Sequence, residues 1–509
     1  MSAALSEPAI TTPDAEWRRL SPRMLLVHPV IEVGKALPAL AGLFLASGGS
    51  SQGLIWGLIA AGIVTTFSLL RWVTTRFRIT PEQIQLRRGL LHRTTVAAPL
   101  DRVRSVDVTA HLLHRILGLA KVVIGTGTSD RKRRDQFALD GLSAEAAGLL
   151  RSELLHRGQQ LAAPVLDSTM APAAGDQEII RLEPAWVRYA PFTLSGVLTG
   201  LALFGFGWRI GNDAHIDASR VAPLRSIGDQ LRHTPIAIDV AVISVVVLVF
   251  IAVASTVGYV LAFWKFRLTR HPEGTLHVTR GLVTTRATSI ERRRLHGAEI
   301  SESILLRWVG AARCIAIATG LKSGGGAERN SGLLVPPAPR EVAIRVAGEV
   351  LESSAPFAVA LSPHGEAARR RRLIRAASGA LVLVGLAALV CWAARLPIYV
   401  WLASLTLLVV AVPLARDRYR NLGHALADGY VVASSGSLVR RRSAIDRDGI
   451  IGWNFTSTYF QRRFGLTTLT ATTAAGKQKY RIYDVAVADA VDFAEQAKPG
   501  LLAQFALHA

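Results

Sequence analysis

Arginine clusters are the residues of this chain best suited to chemistry with a partner. Arg440-Arg441-Arg442, Arg292-Arg293-Arg294 and Arg131-Lys132-Arg133-Arg134 each set three or four cations side by side. A basic side chain near an anionic membrane surface gains about 1 kcal/mol. Arg440, Arg441, Arg442, Arg292, Arg293 and Arg294 are therefore candidate contacts for lipid headgroups; the bland alternative is a solvated basic face. Nothing comparable points to catalysis. The 319–326 run, Thr-Gly-Leu-Lys-Ser-Gly-Gly-Gly, looks superficially like a phosphate-cradling loop. A P-loop, however, needs its Lys-Ser/Thr after the glycines, between a strand and a helix. His111 and His114 are the closest pair fit for one surface, and no carboxylate or cysteine joins them, so no metal site is expected. Cys314 and Cys391 lack neighbouring ligands, which argues against a disulfide framework or a zinc site. The expectation is no catalytic residue, no metal and no cofactor.

Whatever the arginines touch, apolar segments must hold them in place. The chain has 509 residues, 50% of them apolar, a mean hydropathy of +0.31 and a net charge of +22. That is too apolar for an ordinary soluble enzyme and too charged for a pure membrane bundle. Crossing the hydrocarbon takes about 20 mostly apolar residues. Residues 36–70 carry no charge and break at Ser47-Gly48-Gly49-Ser50, which predicts a tight hairpin of two helices. Uncharged runs at 189–208 and 240–264 predict a second hairpin, and 376–394 with 396–415 a third. Basic residues flank the inner ends, among them Arg71, Arg76, Lys265, Arg369 to Arg372, Arg416 and Arg418. The excess of arginine and lysine on cytoplasmic loops then places both termini and the intervening segments inside. It also accounts for the basicity without nucleic acid, for which no motif is present. The acidic, polar N-terminus does not read as a cleavable signal peptide.

A repeat sets the spacing of everything between the hairpins. Gly89 and Gly118, Gly281 and Gly310, and Gly436 and Gly465 are each 29 residues apart. Val103, Leu295 and Ile450 stand 14 residues after the first glycine of each pair, and Arg115, Arg307 and Arg462 three before the second. Each copy alternates like short strands, as in Arg76-Phe77-Arg78-Ile79-Thr80 and Lys265-Phe266-Arg267-Leu268-Thr269. Each copy closes in a helical pattern, at 144–157, 340–352 and 485–497. About seven short strands and one terminal helix predict a small antiparallel barrel capped by that helix. The chain then divides into a tail (1–27), hairpin 1 (28–75), module 1 (76–158), a linker (159–185) and hairpin 2 (186–264). Module 2 (265–353), a basic linker (354–372), hairpin 3 (373–415), module 3 (416–498) and a tail (499–509) follow.

This pattern resembles the bacterial pleckstrin-homology-like (PH-like) membrane proteins of the long type. The matching residues are Arg76-Phe77-Arg78 and Lys265-Phe266-Arg267, Arg88-Gly89-Leu90 and Arg280-Gly281-Leu282, and the run from Leu100 to Val106. Arg115-Ile116-Leu117-Gly118, Arg307-Trp308-Val309-Gly310 and the His28-Pro29 lead also fit. The third copy departs most, with Gly449-Ile450 where the first has Arg102-Val103. The resemblance implies an α+β membrane protein of three transmembrane hairpins (six helices), each followed by a cytoplasmic PH-like antiparallel β-barrel capped by a C-terminal helix. It implies a bacterial plasma membrane, no catalytic reaction, an association of some members with envelope stress or tolerance of membrane-active peptides, and a shorter single-module partner.

Two functions of different class fit these observations. One is a non-catalytic scaffold whose modules bind membrane lipids, one another as a homo-oligomer, a shorter PH-like partner, or clients. The other is a lipid-handling or small-molecule transporter, for which Glu32, Lys35 and Asp239 would be the ionisable residues available in the helices. Topology is the first thing to test. Reporter fusions after Gly49 and near Ile216 should report outside, and fusions near Asp130, Gly325 and Gly476 inside. An inside signal at Ile216 removes the three-hairpin arrangement.

Overall fold

A computed structural model describes residues 177–213, 236–272, 274–321 and 332–502. Before them it describes 17–24, 75–80, 83–88, 94–99, 105–125, 138–148 and scattered positions between 27 and 150. The chain forms two compact units, 1–167 with 284–286, and 168–283 with 287–509. The first expected hairpin, with Glu32 and Lys35, lies almost wholly outside the described residues.

In the first unit, strands β1 (Arg18–Arg19), β2 (Arg76–Ile79), β3 (Gln83–Arg88) and β4 (Thr94–Pro99) form one antiparallel sheet in that order. β5 (Ser105–Ala110), β6 (Leu119–Gly125) and β7 (Ala138–Ser143) pair antiparallel in sequence. Phe77, Ile84, Leu86, Val106, Val122, Ile124 and Leu139 are buried in one core.

The second unit repeats this plan twice. β8 (Gln177–Arg181), β9 (Arg267–Arg270) and β10 (Leu276–Arg280) pair antiparallel, and β11 (Thr285–Ile290) carries the division between the units within its length. β12 (Leu295–Ser303), β13 (Ala311–Ala318) and β14 (Leu333–Pro339) follow. The third module brings β15 (Gly423–Ala427), β16 (Tyr430–Ser435) and β17 (Val439–Asp446). Its second half is β18 (Ile450–Thr456), β19 (Leu466–Thr473) and β20 (Lys479–Ala486).

The ladders correct the expectation of one barrel per module. β12 pairs along its length with β17, from Gly297 opposite Ile445 to Ser303 opposite Val439. The result is one six-stranded sheet, β14-β13-β12-β17-β16-β15, shared by the second and third modules. Strand alternation sends Ala298, Ile300, Val432 and Ala444 into one core and Ile317, Val431, Ala433 and Ile445 into another. A sheet covered on both faces must be apolar on both, and β16 meets that demand with Val431-Val432-Ala433.

The arginine-x-x-glycine motif has a local cause. It ends a five-residue helix in every copy: Leu112–Ile116, Ile304–Trp308 and Tyr459–Arg463. Gly118, Gly310 and Gly465 follow at φ of +65°, +67° and +63°. Each donates its N–H to the carbonyl of the motif arginine, at 3.2, 3.2 and 3.1 Å. Each accepts from the first residue of the terminal helix, Ala144, Arg340 or Val487, at 2.8, 3.0 and 3.2 Å. One left-handed residue thus turns the chain from short helix to strand and ties down the helix that caps the module. Gly281 and Gly436 share a φ of +108°, while Gly89 lies outside the described residues.

Among the described residues, Val240–Phe263, Gly365–Ala393 and Ile398–Arg420 are long and apolar enough to cross a membrane. Pro184–Phe192 and Leu194–Phe206 make a pair bent by 63°. The segment expected to span from residue 189 therefore begins with a 3-10 turn, and its α-helix runs over Leu194–Asp213. Small residues let it approach Ile236–Phe263 closely. A Cβ on Gly196 would fall 1.9 Å from Ser255 Oγ, and one on Gly200 3.0 Å from Ile251 Cα. That second helix starts at Ile236, so Asp239 lies in its first turn.

Three segments, two of them strands, pair across a long insertion with a strand that follows it. Arg18 faces Phe77, Arg181 faces Arg267, and Ser362 forms a bridge with His424. The helices over Leu194–Asp213 and Ile236–Phe263 thus lie between two neighbouring strands of one sheet, β8 and β9. β8 lies within the stretch expected to be a linker. The Arg369 to Arg372 run, also expected as linker, is helical, because Gly365–Ala393 is a single helix.

Gly465 gives the sharpest test of the turn. A Cβ there would meet no atom within 4 Å, so any cost of substitution is conformational. Gly465→Val should destabilise the solubilised chain by roughly 1–2 kcal/mol. An unchanged unfolding temperature would remove the assigned role of that φ.

Candidate functional site: a charged junction between the second and third modules

β12 reads Leu-His-Gly-Ala-Glu-Ile-Ser-Glu-Ser, and alternation puts its two carboxylates on opposite faces of the shared sheet. Both glutamate side chains are only 4% exposed. A buried carboxylate is tolerated only when cations and hydrogen bonds surround it. β17 and its neighbours supply them.

On the second module's face, Glu302 Oε1 accepts from Arg340 Nε at 2.9 Å and Oε2 from Arg440 Nε at 2.6 Å, with Arg440 Nη2 also bonded to Oε2. Arg442, on the same face, donates to the carbonyls of Pro356 and Val359 at 2.9 and 2.7 Å. On the third module's face, Glu299 accepts from Lys477 Nζ at 2.8 and 2.6 Å and from Ser443 Oγ at 3.2 Å. Arg441 Nε stands 3.6 Å from it. Burial lowers the Lys477 pKa, and the charge of Glu299 opposes that shift.

The arginines expected to meet headgroups are thus partnered within the chain. Arg292 bonds the Val350 carbonyl and Glu352, the latter at 2.9 Å. Arg293 and Arg294 reach Glu291 at 2.8 and 3.0 Å. Arg131 to Arg134 lie outside the described residues. His114 proves to have a carboxylate after all: its Nε2 is 3.3 Å from Asp140 Oδ1, and Lys121 Nζ is 3.3 Å from Oδ2. Among the described residues no three metal-ligating side chains come together. Cys314 and Cys391 are both buried.

A cleft of about 230 Å³ opens beside Glu302, lined among others by Arg340, Arg420, Asn421, Arg440 and Arg442. Four guanidiniums against one carboxylate suit an anion. Asn421 is 8% exposed, and its amide nitrogen has no protein partner. Arg420 is the last residue of a membrane helix, so the cleft lies at the foot of the third hairpin.

That hairpin is locked to both modules. Arg307 Nη2 bonds Asp417 at 3.0 and 3.1 Å. Asp484, fully buried, bonds Arg371 and Arg372, the latter at 2.5 Å, and accepts from Gln461 Nε2 at 2.9 Å. Sequence reasoning missed Glu299, Glu302 and Asp484. The available signal was a carboxylate inside a strand-like apolar run of a strongly basic chain.

A histidine pair completes the junction. His364 Nε2 lies 2.9 Å from His424 Nδ1, and His364 Nδ1 is 2.7 Å from the Tyr483 carbonyl. Burial, then repulsion from His364, pushes His424 down to about 4, with Asp489 pulling the other way. Burial lowers His364 as well, against the Tyr483 carbonyl and Asp484. The unfolded chain takes up these protons near the ordinary histidine value of 6.5, the folded chain only at lower pH. Stability is therefore full above 6.5 and falls as pH drops toward 4. The unfolding temperature of the solubilised chain should decline over that window, and His424→Phe should flatten the decline. An unaltered slope in the variant would contradict this.

The sequence carries the same architecture elsewhere. The profile of the bacterial PH domain matches three times, over residues 31–158, 224–353 and 378–499. The UPF0699 transmembrane protein YdbT of Bacillus subtilis (strain 168) is 22% identical over 294 residues, or 55% of this chain. The match spans 57% of that relative's length. No solved structure matches. Three matches at the repeat spacing, covering most of the chain and set among membrane-length helices, identify it as a member of the bacterial PH domain family.

Proposed function

We propose that this protein is a non-catalytic scaffold of the bacterial plasma membrane. Three hairpins of six helices hold it there with both termini in the cytoplasm, and its PH-like modules bind other proteins. The observation that carries this reading is the β12–β17 ladder. Its modules join by strand edges and charge pairs, which are means by which proteins also recognise one another. The buried charges pair with one another inside the fold, which supports a structural role for them. A role in envelope stress or tolerance of membrane-active peptides comes from the family resemblance.

Anionic headgroup binding is a second element of the proposal. It is favoured by the cleft beside Arg420, Arg440 and Arg442, where the Asn421 amide lacks a partner. A headgroup phosphate would find its donors there, next to the end of a membrane helix.

Extraction from native membranes in mild detergent, followed by native mass spectrometry, reads both proposals at once. A complex with a second copy or another membrane protein is expected, with anionic phospholipid retained. A lone chain carrying only lipid would contradict the scaffold; a complex stripped of anionic lipid would contradict the headgroup site.

A further inference from the structure

The third module ends on an open strand that repeats the one already paired. β18 corresponds to β12 residue for residue. Leu295 faces Ala318 and Ala298 faces Ala316; Ile450 faces Thr473 and Trp453 faces Ala471. Both strands shift register at the same point. β12 then takes β17 on its other edge, whereas the corresponding edge of β18 has no strand among the described residues.

The first module carries the opposite half of such a joint. β4 corresponds to β17. Arg441 and Thr94 each stand five residues after the repeat glycine and face the residue before it, Ser435 or Arg88. Both hairpins keep one register to their ends, Asp446 opposite Tyr430 and Pro99 opposite Gln83. The other edge of β4 is likewise without a strand among the described residues.

Two features suit these edges to each other. Exposed edges are commonly guarded by charge or proline. The strands Ile-Ile-Gly-Trp-Asn-Phe-Thr in β18 and Thr-Thr-Val-Ala-Ala-Pro in β4 carry no charge. Such guards stand only at their ends, Pro99 closing β4 and Lys498 donating to the Ile450 carbonyl at 2.7 Å. Ile451 is 65% exposed. Gly452 is the second feature. Its counterpart Gly297 lies against β17 so closely that a Cβ would fall 2.0 Å from the Ala444 carbonyl oxygen. At Gly452 a Cβ would meet nothing, and its φ is not positive. A glycine inside a strand weakens it unless a backbone approaches, and here the approaching backbone is missing.

We propose that β18 receives β4 of a second copy of this chain, so that copies join head to tail by the edge pairing that joins the second module to the third. This rests on the scaffold reading. Carrying over the β12–β17 register sets Gly452 opposite Ala98, Asn454 opposite Val96 and Thr456 opposite Thr94. Such a joint uses different surfaces on each copy and so builds rings or filaments.

Disulfide trapping in the full, detergent-solubilised chain tests it, with Cys314→Ala and Cys391→Ala as background. One copy carries Asn454→Cys and a differently tagged copy Val96→Cys. The matching pair in the known joint, Glu299 and Ser443, touches at 3.2 Å. The mixture should give a covalent dimer that neither variant gives alone. Adding Gly452→Val to the Asn454→Cys copy should abolish the dimer without lowering the unfolding temperature. Absence of the mixed dimer, its survival in Gly452→Val, or trapping of residue 454 on a different protein or on this chain's own tail overturns the proposal. If sizing shows assembled copies without the mixed disulfide, the edge is wrong and the scaffold stands. If the chain is alone on every measure, both fall.

Discussion

Two buried carboxylates in a chain of net charge +22 hold this architecture together. Glu299 and Glu302 sit on one strand, face opposite cores, and draw Lys477, Arg441, Arg340 and Arg440 inward. A buried ion pair is weak evidence for added stability, since replacing the pair by apolar residues often costs nothing. Its better attested effect is to set register. A sheet strand slipped by one residue turns every side chain to the wrong face. Here a slip of β17 on β12 would also part Glu302 from Arg440, and Glu299 from Ser443 and Arg441. Apolar burial drives the modules together, and the charges decide which residue meets which.

The membrane helices depend on the same joint. The second pair of helices lies between neighbouring strands of one sheet, β8 and β9. The third hairpin adds Arg307 to Asp417 and Arg371 with Arg372 to Asp484. These pairs tie the feet of the third hairpin to the second and third modules.

Much of this was legible in the sequence. The paired glycines and the arginine-x-x-glycine runs fixed the copies, because a left-handed residue after a short helix is a local requirement that glycine meets. The two helices of the third hairpin were legible because uncharged stretches of that length have few other uses. The closed barrel was not the outcome. Local alternation reports that a segment is a strand and says nothing about which strand borders it, so pairing between modules left no trace in periodicity. The Arg440 to Arg442 trio looked like a solvated or lipid-facing cluster because Glu302 and Glu299, the partners of Arg440 and Arg441, are over a hundred residues away. β8 was hidden in a linker because it owes its form to β9, across two membrane helices.

The central claim is that the glutamate–arginine pairs across β12 and β17 join the two modules. A double-mutant cycle on Glu302 and Arg440 measures it most directly, using Glu302→Gln, Arg440→Met and the combination in the solubilised full chain. Groups in contact couple by roughly 0.5–3 kcal/mol. The expected result is a large loss for Glu302→Gln or Arg440→Met alone and a double variant well short of their sum. Strictly additive losses, or single variants as stable as the parent, would contradict the account.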